Sequence, residues 1–187
     1  MVFRSFSSCL LLSLLMAGCA AQESAAPQAL QTSQVAQDCD VPLSPQRVLQ
    51  VLNAFRAQAR SCGGPVLAAG APLRWDARLA ASARGHAADL SGGDQLRHLG
   101  ASGAGVRERL RLNGYLAQRA GENLAAGQES LDEVLSTWVS SSKHCDNIMQ
   151  AEYSDVGMAC VIGPGRFQRY WVLNLGRAAE EQWVPPR

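Results

Sequence analysis

The 187-residue sequence predicts an α+β domain in which helices cover an antiparallel sheet, and three observations carry that prediction. Apolar residues recur at helical spacing through most of the chain. The period then shortens to that of strands at 156–162 and 167–175. The two strand runs are joined by Gly163-Pro164-Gly165-Arg166, which reads as a hairpin loop. Seventeen Lys plus Arg stand against sixteen Asp plus Glu, and the formal charge of +1 gives no bulk electrostatic reason to bind nucleic acid. No apolar run reaches the roughly 20 residues of a membrane-spanning helix, and the length suits one core.

Each element has its own local warrant. Ser44-Pro45 supplies an N-cap and a proline for the first helical turn, and Val48, Leu52, Phe55 and Ala59 follow at helical spacing. This first helix is expected to run to about Arg60, where Cys62-Gly63-Gly64-Pro65 stops it. A second begins near Trp75-Asp76, places Leu79, Ala83, Ala87 and Leu90 on one face, and ends at Ser91-Gly92-Gly93. His86 lies at the edge of that face and reads as a buried, hydrogen-bonded imidazole before it reads as a ligand. A short third helix is drawn from about Gly105 to Leu112, with Arg107, Arg109 and Arg111 as a solvated face. A fourth spans about Gln128 to Ser140 and buries Leu131, Val134, Leu135 and Trp138.

The ends of the chain point to export. Residues 1–18 combine Arg4 with a short apolar run from Cys9 to Met16 and small residues after it, as a signal peptide does. Met16-Ala17-Gly18-Cys19 resembles the lipobox of bacterial lipoproteins, which implies cleavage before Cys19 and acylation of its thiol. Two or more acyl chains hold firmly, since each buried methylene contributes about 0.8 kcal/mol. Ala20 after that cysteine implies sorting to an outer membrane, facing the periplasm or the surface. Residues 19–43 are read as the acylated cysteine and a tether, being polar and poor in large apolar groups, and 178–187 as a C-terminal tail whose Trp183 is free to fold back.

In an oxidising compartment Cys39, Cys62, Cys145 and Cys160 become disulfide candidates. Four cysteines allow three connectivities. The expected one is Cys39–Cys62, clamping the ends of one helical region, with Cys145–Cys160 tying a helix end to a strand. A zinc site is the alternative, but the chain has no Cys-x-x-Cys pair.

Placed on these elements are Asn53-Ala54-Phe55-Arg56, Leu73-Arg74-Trp75-Asp76-Ala77-Arg78-Leu79 with His86, and Gly114-Tyr115. After them come Gly121-Glu122-Asn123-Leu124-Ala125, Trp138, His144-Cys145-Asp146-Asn147-Ile148-Met149, Gly157 and Tyr170-Trp171. In this order the residues resemble the CAP superfamily (cysteine-rich secretory, antigen 5, pathogenesis-related; SCP domain), in its small bacterial branch, over about residues 44–177. The resemblance implies a CAP-type α-β-α sandwich, with a central antiparallel sheet flanked by helices and an open cleft. It also implies that two histidines and two glutamates line the cleft, here His98, Glu122, Glu133 and His144. The chain departs from the family pattern at Arg97 before His98 and at Ser142-Lys143 before His144.

Two imidazoles can hold a divalent cation while carboxylates orient a bound water. His98 and His144 are therefore the candidate ligands for a metal such as Zn²⁺, although no cofactor is required by this reading. On one unbroken helix Glu133 and His144 would lie about 16 Å apart, so the helix must end before His144 for them to share a site. The competing reading is a buried His-Glu network that only ties loops to the sheet. Nothing marks Ser140, Ser141 or Ser142 as a nucleophile.

The expected function is an envelope binding module. Its partners are the membrane, through the lipid anchor, and a lipid, glycan, peptide or protein ligand, with no nucleic acid. One rival is a metal-dependent hydrolase of envelope substrates using Glu122 as base. The other is a structural envelope component. The family resemblance leans away from an enzyme.

Overall fold

The structure, a computed structural model, describes residues 36–179. The stretches expected to be a signal peptide, an acylated Cys19, a tether up to residue 35 and a tail from residue 180 with Trp183 lie outside the described residues. In chain order the elements are β1 (Gln37–Asp38), α1 (Pro45–Arg56), β2 (Arg60–Ser61), β3 (Val66–Leu67), β4 (Arg74–Trp75) and α2 (Ala77–Gly93). They continue with α3 (Val106–Leu112), β5 (Ala117–Ala126), α4 (Leu131–Ser140), α5 (Ser142–Met149), β6 (Asp155–Ile162) and β7 (Arg169–Ala178). No helix among the described residues is long and apolar enough to cross a membrane.

Local chemistry sets the helix ends. Ser44 accepts the Arg47 N–H at 3.2 Å ahead of Pro45, and Asp76 accepts from Arg78 and Leu79 at the start of α2. The second helix stops where Asp94 turns left-handed at φ 47°. Helix α1 ends at Arg56, four residues before the expected stop, because Arg60 and Ser61 pair instead with Val66 and Leu67 around the Gly63-Gly64 turn.

The principal sheet runs β1-β6-β7-β5, with β4 pairing in parallel beside β1 on the outer edge of β6 and every other pairing antiparallel. Alternation along β6 and β7 sorts side chains between two apolar layers. Val156, Met158, Cys160, Trp171, Leu173 and Leu175 meet Val48 and Leu52 of α1 and Val134 and Trp138 of α4. Ala159, Val161, Tyr170 and Val172 meet Ala83, Ala87 and Leu90 of α2 on the other face. Helices on both faces of one antiparallel sheet make the expected α-β-α sandwich.

Three expectations about this framework are corrected. The disulfides are Cys39–Cys160 and Cys62–Cys145, not Cys39–Cys62 and Cys145–Cys160. β1 lies antiparallel to the end of β6, with Asp38 opposite Val161, which brings Cys39 to 5.4 Å (Cα to Cα) from Cys160. The β2–β3 turn packs on α5 and brings Cys62 to 5.5 Å from Cys145. Separations of 121 and 83 residues make each loop worth about 4.5–5 kcal/mol alone in the chain-entropy model, although nested loops do not add fully.

The second correction is to the tether. Its last residues belong to the domain, since Gln37 and Asp38 extend the sheet, Cys39 is bonded to it, and Arg84 of α2 pairs with Asp38 at 2.7 Å. The third is that the Gly-Glu-Asn stretch, given no element from the sequence, lies within the ten-residue strand β5, and that Ser142–Met149 forms a separate helix.

Candidate functional site

β5 is the edge strand of the sheet beyond β7, and a hollow of about 430 Å³ opens along its free edge. His98, Glu122, His144, Lys143, Asn147 and Tyr153 are among its lining residues. Strand alternation divides the work of the Gly-Glu-Asn motif. Glu122 points to the side of α2 and α3, as Leu124 does, while Gly121 and Asn123 face α5.

Glu122 is the centre. Its side chain is 1% exposed, so its charge requires partners. Oε1 accepts the His98 Nδ1–H at 2.9 Å, and Oε2 accepts from the Arg109 guanidinium of α3, which is itself buried. His86 of α2 lies beneath, fully buried, with Nε2 at 3.8 Å from Oε1. A carboxylate can only accept, so Nδ1 of His98 carries the proton and Nε2 is left to the solvent side, where the ring is 65% exposed. Arg109 also donates to the carbonyls of His98 at 2.9 Å and Ala104 at 2.6 Å, clamping the loop that carries His98.

The other wall is α5. Ser140 ends α4, Ser141 is extended, and α5 restarts at Ser142, so the break expected before His144 is present. Asn123 Nδ2 donates to the His144 carbonyl, Asn147 Nδ2 to Asn123 Oδ1, and the Tyr153 hydroxyl to Asn147 Oδ1. This ladder crosses directly over Gly121, where any Cβ would run into the Tyr153 hydroxyl and the Asn147 amide oxygen. Burial first, and the neighbouring His98 second, hold the His144 imidazole below its ordinary value. Its Nδ1 is buried with no hydrogen-bond partner among the described residues.

Three of the four residues that the resemblance nominated, His98, Glu122 and His144, therefore meet. Glu133 does not line this hollow. It sits in the first turn of α4, where Ser130 Oγ accepts its N–H and its own Oε2 accepts the Glu129 N–H at 2.9 Å. That reciprocal bonding caps the helix. The residue missed from the sequence is Arg109, read as part of a solvated face but buried against Glu122. Its signal was only a basic residue in a helix too short to show a clear buried stripe. His86 is buried and hydrogen-bonded, as read, its Nε2–H donating to the Arg97 carbonyl at 2.9 Å.

The donor set does not fit a catalytic metal held by three protein ligands. Both oxygens of Glu122 are engaged, one by a permanent cation, and no group of three or more His, Cys, Asp or Glu side chains poised for a metal occurs among the described residues. Glu122 is equally ill placed as the base of the rival metal-dependent hydrolase.

The buried histidine makes stability depend on pH. Desolvation holds His86 below the ordinary imidazole value of about 6.5, outweighing the opposing pull of Glu122. Below about pH 6.5 the unfolded chain takes up a proton that native His86 refuses, so stability is lost as the pH is lowered, and the loss levels off once the folded group also titrates. Urea midpoints measured between about pH 7 and 5 should decline less steeply in His86→Gln than in the parent. Parallel declines would show that His86 contributes nothing.

The sandwich and this site together define the class. The profile of the cysteine-rich secretory protein family (CAP) matches residues 49–175, and the chain belongs to that family. Over 90 residues it is 29% identical to YkwD, an uncharacterized protein of Bacillus subtilis (strain 168), a match covering 48% of this chain and 35% of that protein. The chain thus spans about a third of the curated relative it matches. Among solved structures, an extracellular SCP-domain protein from Bacillus anthracis str. Ames aligns at TM-score 0.56 and 23% identity, over 71% of this chain and 39% of that one. An outer surface protein from Borrelia burgdorferi aligns at TM-score 0.54 and 16% identity, over 73% and 97%. At these identities the structural matches support the fold.

Proposed function

We propose that this chain is an exported, lipid-anchored envelope protein whose CAP domain binds a polar chain ligand, a peptide or a glycan, along the free edge of β5. The observation that carries the reading is what lies at the floor of the hollow. Gly127 N–H bonds to the Arg169 carbonyl, so alternation turns the N–H and C=O of Ala126, Leu124, Glu122 and Ala120 away from β7. Leu124 C=O is taken by the Trp138 indole, whereas Glu122 has no hydrogen-bond partner for its backbone groups among the described residues. An edge strand flanked by His98 on one side and by Lys143, His144 and Asn147 on the other suits a ligand rich in hydrogen-bonding groups better than an acyl chain. The extracellular or surface descriptions of two structural neighbours agree with export.

Soluble cell-wall saccharides and short envelope peptides should shift the amide NMR signals of Glu122, Asn123 and Asn147. Affinity should fall about tenfold in Asn147→Ala, by analogy with other interface residues. Perturbation confined to another face would overturn the reading. Anchoring is tested separately: Cys19→Ser should move the protein from the membrane to the soluble fraction of the host, and retention on membranes would remove the lipid anchor.

One observation favours hydrolysis as a second reading. Glu122 orients His98 through Nδ1 and leaves Nε2 free, as an orienting carboxylate does for a general base. In that case Glu122→Gln should lower a hydrolytic rate on envelope esters or amides. Unchanged rates would dismiss it.

A further inference from the structure

We propose that Arg109 is the resident cation of this cleft, doing at Glu122 what a divalent metal would otherwise do, and that the site works without one. Glu122 is almost wholly buried, where a carboxylate needs a close partner of opposite charge. The neutralising group is a guanidinium, which keeps its proton at any physiological pH. It is built in by position: α3 ends one turn beyond Arg109, and Asn113 Nδ2 donates to the Arg109 carbonyl at 2.9 Å, fixing the backbone from which the side chain reaches β5. A single Arg109 Nη1 then ties down the carbonyls of His98 and Ala104, while Nη2 meets Glu122 Oε2. The loop from His98 to Ala104 is also held by Asp89, whose Oδ2 accepts the Ala101 N–H at 3.2 Å. Arg109 is therefore a positioning residue, acting through Glu122 and the loop to hold His98 with Nε2 outward.

The consequence for metals is electrostatic. Nε2 of His98 and the ring of His144 are the two imidazole donors at the hollow. Two carboxylates also line the hollow, Asp146 and Glu122, but no three imidazole or carboxylate side chains among the described residues are poised together for a metal, and a metal recruiting Glu122 must either displace the guanidinium, stranding it in the interior, or sit beside its positive charge. This concerns the same cleft as the binding reading but not its ligand. Metal titration of the free protein decides it, whatever a peptide or glycan does.

Zn²⁺ alone, titrated calorimetrically into the folded chain, should bind at the cleft no tighter than about 100 μM. Arg109→Met should gain at least about tenfold, and His98→Ala in that background should abolish the gain. Arg109→Lys keeps a cation and should stay at the parent value. The proposal fails if the parent binds Zn²⁺ about tenfold tighter than its His98→Ala variant, or if folded Arg109→Met gains nothing. Because Arg109→Met leaves a buried carboxylate unpaired, a second measurement needs only the parent: ¹⁵N imidazole spectra should show His98 as the Nδ1–H tautomer, with its Nε2 signal unmoved by an equivalent of Zn²⁺. Movement of that signal, or the opposite tautomer, would overturn the proposal even if the variant does not fold.

Discussion

Arg56→Met should cost about 3 kcal/mol or more of stability, one of the two largest single-residue effects expected in the domain. Arg56 is fully buried at the end of α1 and faces carbonyls rather than a carboxylate. Its Nε and Nη2 donate to Ala71 O at 3.1 and 2.9 Å, and its Nη1 donates to Ile148 O at 2.6 Å and Gln150 O at 3.0 Å. The last two belong to the C-terminal end of α5, where unpaired carbonyls and the helix dipole favour a cation. Burial draws the guanidinium below its ordinary value, a sign of how much desolvation these carbonyls must offset. Methionine fills much of the volume but returns no hydrogen bond, so it leaves buried acceptors unsatisfied. Urea unfolding should report the loss, and the signals of Asn147 and His144 should broaden because their helix has lost its fastening. A midpoint within about 0.5 kcal/mol of the parent would show that water replaces the arginine at little cost.

Gly157→Ala should be at least as damaging, at about 4 kcal/mol or more. Gly157 lies in β6 where the first turn of α2 crosses it, and an added Cβ would stand 2.5 Å from the Leu79 carbonyl carbon and collide with the Ala80 amide nitrogen. Both obstacles are backbone, so no rotamer change relieves them. The helix would have to lift from the sheet, opening the layer formed by Ala83, Ala87 and Leu90. A soluble variant of near-parent stability would show that α2 is not seated as described. Gly85, whose Cβ would meet nothing within 4 Å, serves as a control in Gly85→Ala.

Much of the scaffold was legible in the sequence because its causes are local. The Ser44-Pro45 cap, the Asp76 cap, the apolar stripes of α2 and α4 and the hairpin of β6 and β7 are each written within a few residues of where they act. β5 escaped because its central residues are buried on both faces, so the alternation that marks a half-exposed strand is missing. The site was legible where a motif fixes a residue to an element, as with Glu122 and His144. It was misleading at Glu133, since a glutamate three residues after an N-cap serine serves the helix equally well.

By itself, then, the sequence determined the order and type of most elements, while the two-layer covering of the sheet and the nomination of His98, Glu122 and His144 came through the family resemblance its motifs carry. Only the tertiary structure decided which cysteines join, that Arg109 rather than Glu133 attends Glu122, and that residues 37–39 belong to the sheet. The reason is physical. Caps and periodicity are set by neighbours a few bonds away, whereas these pairings join residues 13 to 125 positions apart, and their partners are chosen by how the layers stack.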